Sequence, residues 1–190
     1  MKKNIVSSTL ITSTLIIIFL VFLNSEEVLS DDDHYEWGLS SFKTTDVLPV
    51  NNAIYKEECG SCHMAYSPGL LPANSWKKMM LGLENHFGDN AELDAEMNKT
   101  LLSYLIENAA DHSEYRRSKK FAGSLANKAV DRITLIPYFI RKHDKIPKRF
   151  IADNPKLSSF SQCEQCHQKA EKGSFDEDEV NIPGIGYWED

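Results

Sequence analysis

Large aliphatic side chains are scarce in this 190-residue sequence. With the first 30 residues set aside, only 33 of the remaining 160 are Leu, Ile, Val or Phe. That share, about 21%, sits close to the roughly 20% under which highly charged chains tend to be disordered. A chain this short also buries a smaller fraction of its surface than a large one. Either it folds loosely, or something other than aliphatic side chains fills its centre. A basic excess is missing too: 28 Asp+Glu stand against 21 Lys+Arg, a net charge of −7. That argues against a nucleic-acid-binding protein. Long β-alternating runs are absent, so the expected class is mainly α, small and loop-rich.

Only the N-terminus carries a long apolar run. Lys2 and Lys3 precede residues 5–23, and Val28 and Ser30 supply a small-residue exit. Basic start, apolar middle and small-residue exit are the layout of a secretory signal peptide, cut near Ser30. The alternative is an uncleaved anchor, because 19 residues is near the roughly 20 needed to span a bilayer. Either way the remainder is expected to be exported. Residues 31–50, opening on Asp31-Asp32-Asp33, read as an extended acidic arm, and residues 51–190 as one domain.

Within that domain a helix is expected from Trp76 to about His86, following Asn74-Ser75. Asp89 with Glu92 reads as the reciprocal cap of a second helix. Its apolar face is Leu93, Met97, Leu101, Leu102, Leu105 and Ile106. Residues 111–128, polar and basic, read as a surface loop. Pro137 fits the first turn of a short helix ending at His143. The stretch after Ser161 has helical character, stopped by Gly173. The chain closes on an acidic tail.

The four cysteines form two pairs, each followed at once by histidine: Cys59-Gly-Ser-Cys62-His63 and Cys163-Glu-Gln-Cys166-His167. Both are C-x-x-C-H, the attachment sequence of c-type haem. On a helical turn residues three and four apart share a face. Two thiols can therefore reach the two vinyl groups on one porphyrin edge, while the histidine projects toward the ring centre and ligates iron. Covalent attachment keeps the cofactor in a small, loosely cored domain. A single four-thiolate zinc site would leave both histidines unexplained. A redox dithiol at Cys59 and Cys62 lacks its βαβ context. Two local disulfides in an exported chain are the blandest alternative. The reading preferred is two haem c groups, with no zinc and no nucleic acid.

The second axial position decides function: methionine raises the potential, histidine lowers it, and a vacancy permits small-ligand chemistry. His86 and His143 have apolar neighbours, whereas His34 and His112 sit among acidic or polar ones. His86 and His143 are therefore the expected distal ligands. Met79 and Met80 read as core contacts. Spacing favours His63 with His86 and His143 with His167, and crossed pairing stays open.

At this point a resemblance becomes specific. Glu58-Cys-Gly-Ser-Cys-His-Met-Ala-Tyr-Ser-Pro-Gly-Leu-Leu-Pro72 and His86-Phe-Gly-Asp-Asn-Ala-Glu-Leu-Asp94 resemble the bacterial diheme cytochrome c family. Asn108-Ala-Ala-Asp111, Arg132-Ile-Thr134, Pro137-Tyr-Phe139 and Gly173-Ser-Phe-Asp176 fit it too. The resemblance implies a c-type cytochrome fold organised around two covalent haems, each held by two histidines. His86 and His143 match the distal positions. It implies a periplasmic electron carrier rather than an enzyme. The redox partner would be a membrane b-type cytochrome or a small haem protein. The competing reading is a haem enzyme or sensor with one labile iron ligand, for which His112 is the spare acid–base group. Charge is unevenly spread: residues 116–149 hold eleven basic and two acidic side chains. Such a face can speed encounter with a partner.

If porphyrin replaces the missing aliphatic core, the mature chain without haem should be largely unfolded. Circular dichroism and thermal melting check this, and a compact, cooperatively melting apoprotein would contradict it.

Overall fold

The computed structural model describes residues 45–189. They form seven α-helices, several single turns of 3-10 helix and one minimal hairpin. The helices are α1 (Ala53–Cys59), α2 (Ala73–Met80), α3 (Ala95–Glu107), α4 (Arg116–Gly123), α5 (Pro137–His143), α6 (Arg149–Ala152) and α7 (Cys163–Cys166). The hairpin pairs β1 (Asn181–Ile182) antiparallel with β2 (Gly186–Tyr187). Among the described residues no helix is long and apolar enough to cross a membrane. The leader and most of the acidic arm lie outside the described residues, as does His34.

The longest of these described helices, α3, is the structural spine. Its N-cap is Asp94, whose carboxylate accepts from the Glu96 and Met97 N–H groups at 3.0 and 2.8 Å. This differs from the expected Asp89 cap. Residues 89–94 stay extended, Asn90 bonds the Glu92 N–H, and Asp94 takes the position where two free N–H groups need an acceptor. Leu101 and Leu105, four apart, are fully buried on the inner face, with Leu93, Met97, Leu102 and Ile106 half-buried around them.

Helix α2 packs against α3. It starts three residues earlier than expected and stops at Met80. Asn74 and Ser75 are inside its first turn because Asp111, far along the chain, accepts the Ala73 N–H at 2.8 Å. Trp76 donates its indole N–H to the Pro68 carbonyl at 2.8 Å. Pro68 belongs to the tight turn after the first cysteine pair, so this bond ties that turn to the core.

Residues 116–123 are helical rather than a surface loop. The basic composition hid a buried stripe of Arg117, Ser118 and Phe121. Arg117 is an interior charge, its side chain only 10% exposed. It donates to the Tyr138 hydroxyl at 3.1 Å and the Phe175 carbonyl at 3.3 Å. Its Nε makes no hydrogen bond and lies 3.3 Å from Asp46 Oδ1 as an ion pair. A buried cation needs such partners. Asp46 also accepts the Phe175 N–H at 2.7 Å.

The described end of the stretch read as a solvated arm is packed: Val47 is fully buried and Val50 nearly so. The Gly173 carbonyl accepts the Asp46 and Val47 N–H groups at 2.8 and 3.1 Å. Gly173 has φ +75°, and a Cβ there would strike the Val47 carbonyl, so no other residue fits without moving that segment. The acidic tail is likewise anchored, since Val180 and Ile182 join Ile151 and Leu157 in a second, smaller apolar cluster. That cluster reaches Cys166, whereas Cys59 and Cys163 pack on the main core.

Replacing Leu101 by Ala should cost about 2–5 kcal/mol, the range for a large-to-small change at a closed site. Leu102→Ala, at a half-buried position, should cost less. Denaturant unfolding of the holoprotein reads both.

Candidate haem centres

Each cysteine motif straddles a helix end. Cys59 is the last residue of α1, and Cys62 and His63 follow in a turn. Cys163 and Cys166 begin and end the single turn of α7, and the His167 N–H donates back to the Cys163 carbonyl at 2.8 Å. All four thiols are unbridged. Burial, with Glu58 close by, pushes the Cys59 thiol up to about 11. Burial, then Glu164, pushes Cys163 up to about 12 and Cys166 upward. Redox dithiols need the opposite, a lowered pKa and a standing thiolate. These sulfurs are protonated at neutral pH and suit a structural tether better than disulfide exchange.

The histidines meet in two pairs. The His63 and His86 rings lie 6.2 Å apart between centroids, nearly parallel at 28°. The His143 and His167 rings are also 6.2 Å apart, at 74°. Two imidazoles bound to opposite sides of one metal ion place their centres about 6 Å apart, from a metal–nitrogen bond of roughly 2 Å and a ring radius of about 1.2 Å. The chain thus presents two gaps of the size one metal ion needs. Each joins a motif histidine to a distant one, and both pairings are the local ones.

Protonation favours the same chemistry. His63 Nδ1 lies 2.8 Å from the Met64 carbonyl oxygen, and His143 Nδ1 lies 2.8 Å from that of Phe139. A carbonyl only accepts, so Nδ1 carries a proton, and Nε2 is the nitrogen left to ligate. Fixing the tautomer this way is what metal-binding histidines commonly require. Burial, then His143 and Arg117, holds His167 down at about 4. Burial, with His63 next, lowers His86 as well. Both stay neutral, the form that ligates.

Local sequence explains how the two distant histidines are aimed. His86 and Asp89 exchange N–H···O bonds of 2.7 and 3.3 Å across Phe87 and Gly88. Both central residues have positive φ, +58° and +108°, as a mirror-image tight turn demands. Phe87 bears that conformation while the Arg132 guanidinium sits 3.8 Å over its ring. His143 ends α5, one turn after Phe139, and the two rings stack at 3.9 Å and 12°. The Phe139 carbonyl also accepts the His143 side-chain Nδ1–H at 2.8 Å. Phe160 closes over this pair edge-on, 5.7 Å from His143.

Tyr66, Phe139, Phe160, Arg132 and the Arg117–Asp46 pair were not singled out from the sequence as site residues. Tyr66, Arg132 and Phe139 lie inside the motifs that carry the family resemblance, and Phe139 is also an aromatic four residues before a histidine on a helix. His112 is exposed and lies apart from both pairs, its Nδ1 2.6 Å from the Ile106 carbonyl. Met64 and Met80 are core residues.

Residues 55–175 match the sequence family described as dihaem cytochrome c. The chain belongs to this family. Solved relatives agree. The diheme cytochrome c of Shewanella baltica is 50% identical, with a TM-score of 0.61, over 73% of this chain and 98% of that one. A diheme cytochrome c from Rhodobacter sphaeroides is 39% identical, with a TM-score of 0.59, over 68% and 100%. No curated protein matches. The protein is therefore a helix-rich dihaem cytochrome c with two haem c groups, an electron-transfer haem protein. The two gaps described above fit those two groups.

Proposed function

We propose that this dihaem cytochrome is an exported, periplasmic electron carrier in which every iron has two histidine ligands. Cys59 and Cys62 tether the first haem, held between His63 and His86. Cys163 and Cys166 tether the second, between His143 and His167. The observation that carries this reading is the pair of 6.2 Å imidazole separations, each closing on a motif histidine.

Bound haem supplies an iron that moves between ferric and ferrous states by one electron. The chain's own residues do the rest. The neutral imidazoles offer Nε2 lone pairs in fixed orientation, with the Met64 and Phe139 carbonyls holding the tautomer at His63 and His143. Phe139 and Phe160 exclude water from the second pair. His63 with His86, and His143 with His167, would each hold an iron from two sides, which favours electron transfer over substrate binding at the metal. Export agrees with the basic, apolar and small-residue order of residues 1–30, since c-type haem is attached outside the cytoplasmic membrane.

The redox partner in this reading is a membrane b-type cytochrome or a small haem protein, met through the basic segment. That segment is less cationic outward than its composition implies. Arg117 is buried, Lys142 lies 3.2 Å from Glu177, and Lys119 lies 2.6 Å from Glu114. Arg141, Lys145 and Lys148, close to His143 in sequence, are among the exposed basic side chains of the segment. Their charge can help steer an acidic partner toward the second centre.

The wild-type holoprotein should be low-spin at both irons and inert to carbon monoxide. His86→Ala and His143→Ala should each convert one haem to a high-spin, carbon-monoxide-binding form and leave the other untouched. Absorption and EPR spectra read this, and rapid carbon monoxide binding by the wild type would remove the reading. Reversing Arg141, Lys145 and Lys148 to Glu should slow electron exchange with an acidic redox partner and flatten its salt dependence. A variant whose second-order rate matches the wild type at every ionic strength would exclude this docking face.

A further inference from the structure

The two centres lie in stretches of sequence about a hundred residues apart, yet one side chain joins a histidine of the first to the segment that enters the second. The Tyr66 ring lies 4.9 Å from the His63 ring at a tilt of 32°. Its hydroxyl donates to the Ser161 carbonyl at 2.6 Å, across 95 residues of sequence. The same carbonyl lies 3.6 Å from Cys163 Sγ. One ring and one short hydrogen bond thus run from a histidine of the first centre to the Ser161 carbonyl, two residues before a tether cysteine of the second. The arrangement is braced from behind. Tyr55, itself buried, donates its hydroxyl to the Tyr66 carbonyl at 2.9 Å, and its own ring packs on Tyr104 at 5.5 Å.

We propose that Tyr66 is a positioning residue for electron exchange between the two haems, supplying the contact path from His63 to the Ser161–Cys163 segment. This rests on the bis-histidine reading above. In each event one electron leaves a ferrous iron and reaches the ferric iron of the other centre. The first is oxidised and the second reduced by that same electron. No proton moves, and Tyr66 is neither oxidised nor deprotonated. Its contribution is coupling: an electron passes more readily through bonded and hydrogen-bonded atoms than through an empty gap. The Tyr66 hydroxyl replaces a gap with a 2.6 Å bond.

The test uses the full-length holoprotein and its Tyr66→Phe variant, which keeps the ring and removes the donor. Flash reduction measures the exchange rate between the haems. Dipolar coupling between the two ferric irons, read by pulsed EPR, reports their separation. The expected result is two low-spin haems, unchanged dipolar coupling and an exchange rate several-fold lower. An unchanged rate in Tyr66→Phe overturns the proposal. So does a slower rate accompanied by altered dipolar coupling, which would mean that Tyr66 only sets the distance. Should Tyr66→Phe fail to load both haems, fluorotyrosine at position 66 keeps the shape and sharpens the donor. The rate must then change, and an unchanged one overturns the proposal. High-spin iron in the wild type would instead fail the bis-histidine reading, a separate outcome.

Discussion

Two imidazoles held one metal ion's width apart form an unusual requirement, and this chain meets it twice. At 6.2 Å between centroids the rings are too far apart to pack and too close to admit a side chain. Apolar surface lining such a gap gains nothing from the protein alone, since an unfilled space forfeits its dispersion contacts. Large apolar residues such as Leu81, Phe87, Leu135 and Ile140 stand exposed on the chain. The shortage of aliphatic residues and this surplus at the surface express one fact. A flat prosthetic group takes over part of the work that Leu and Ile perform elsewhere, and the protein core proper shrinks to the packing of α2 and α3 around Leu101 and Leu105.

The two centres satisfy the requirement by different means. The first is built from turns. His63 follows the end of α1 and is exposed, and His86 hangs on a two-residue reversal whose backbone is confined by positive φ. Rigidity there comes from hydrogen bonds across the reversal and from Arg132 on Phe87. The second is built from a helix and aromatic rings, with a buried Arg117–Asp46 pair behind it and His167 held neutral down to about 4. Turn geometry and helix geometry thus deliver the same ring separation. That separation is set by what must sit between the rings, not by the element carrying them.

This division also decides what could be read from sequence. The α5 helix was legible because Pro137 marks its first turn and His143 its last. The C-x-x-C-H motifs were legible because their chemistry is local. Helix α4 was not, because its buried stripe consists of Arg117, Ser118 and Phe121. Two of those three are polar, and their partners, Asp46 and Phe175, lie far off in sequence. The cap of α3 was misplaced by five residues for a related reason. Asp89 has the right chemistry, but its backbone is committed to closing the reversal under His86. The N-terminus of α2 was also set from outside, by Asp111. In each case a contact distant in sequence overrode a sound local preference.

The same distinction separates the centres from the link between them. His63 and His86 are 23 residues apart, and His143 and His167 are 24. Closing such loops costs modest entropy, which grows only with the logarithm of their length. Each centre can therefore form within its own segment, guided by local signals. Joining them needs a contact across most of the domain, and local pattern carries no trace of it. Tyr66 is an ordinary tyrosine in the sequence. Only the fold sets its hydroxyl on the Ser161 carbonyl. The pairing of two haems in one chain thus has two layers: two sites written locally, and a juncture that exists only once the domain has closed around them.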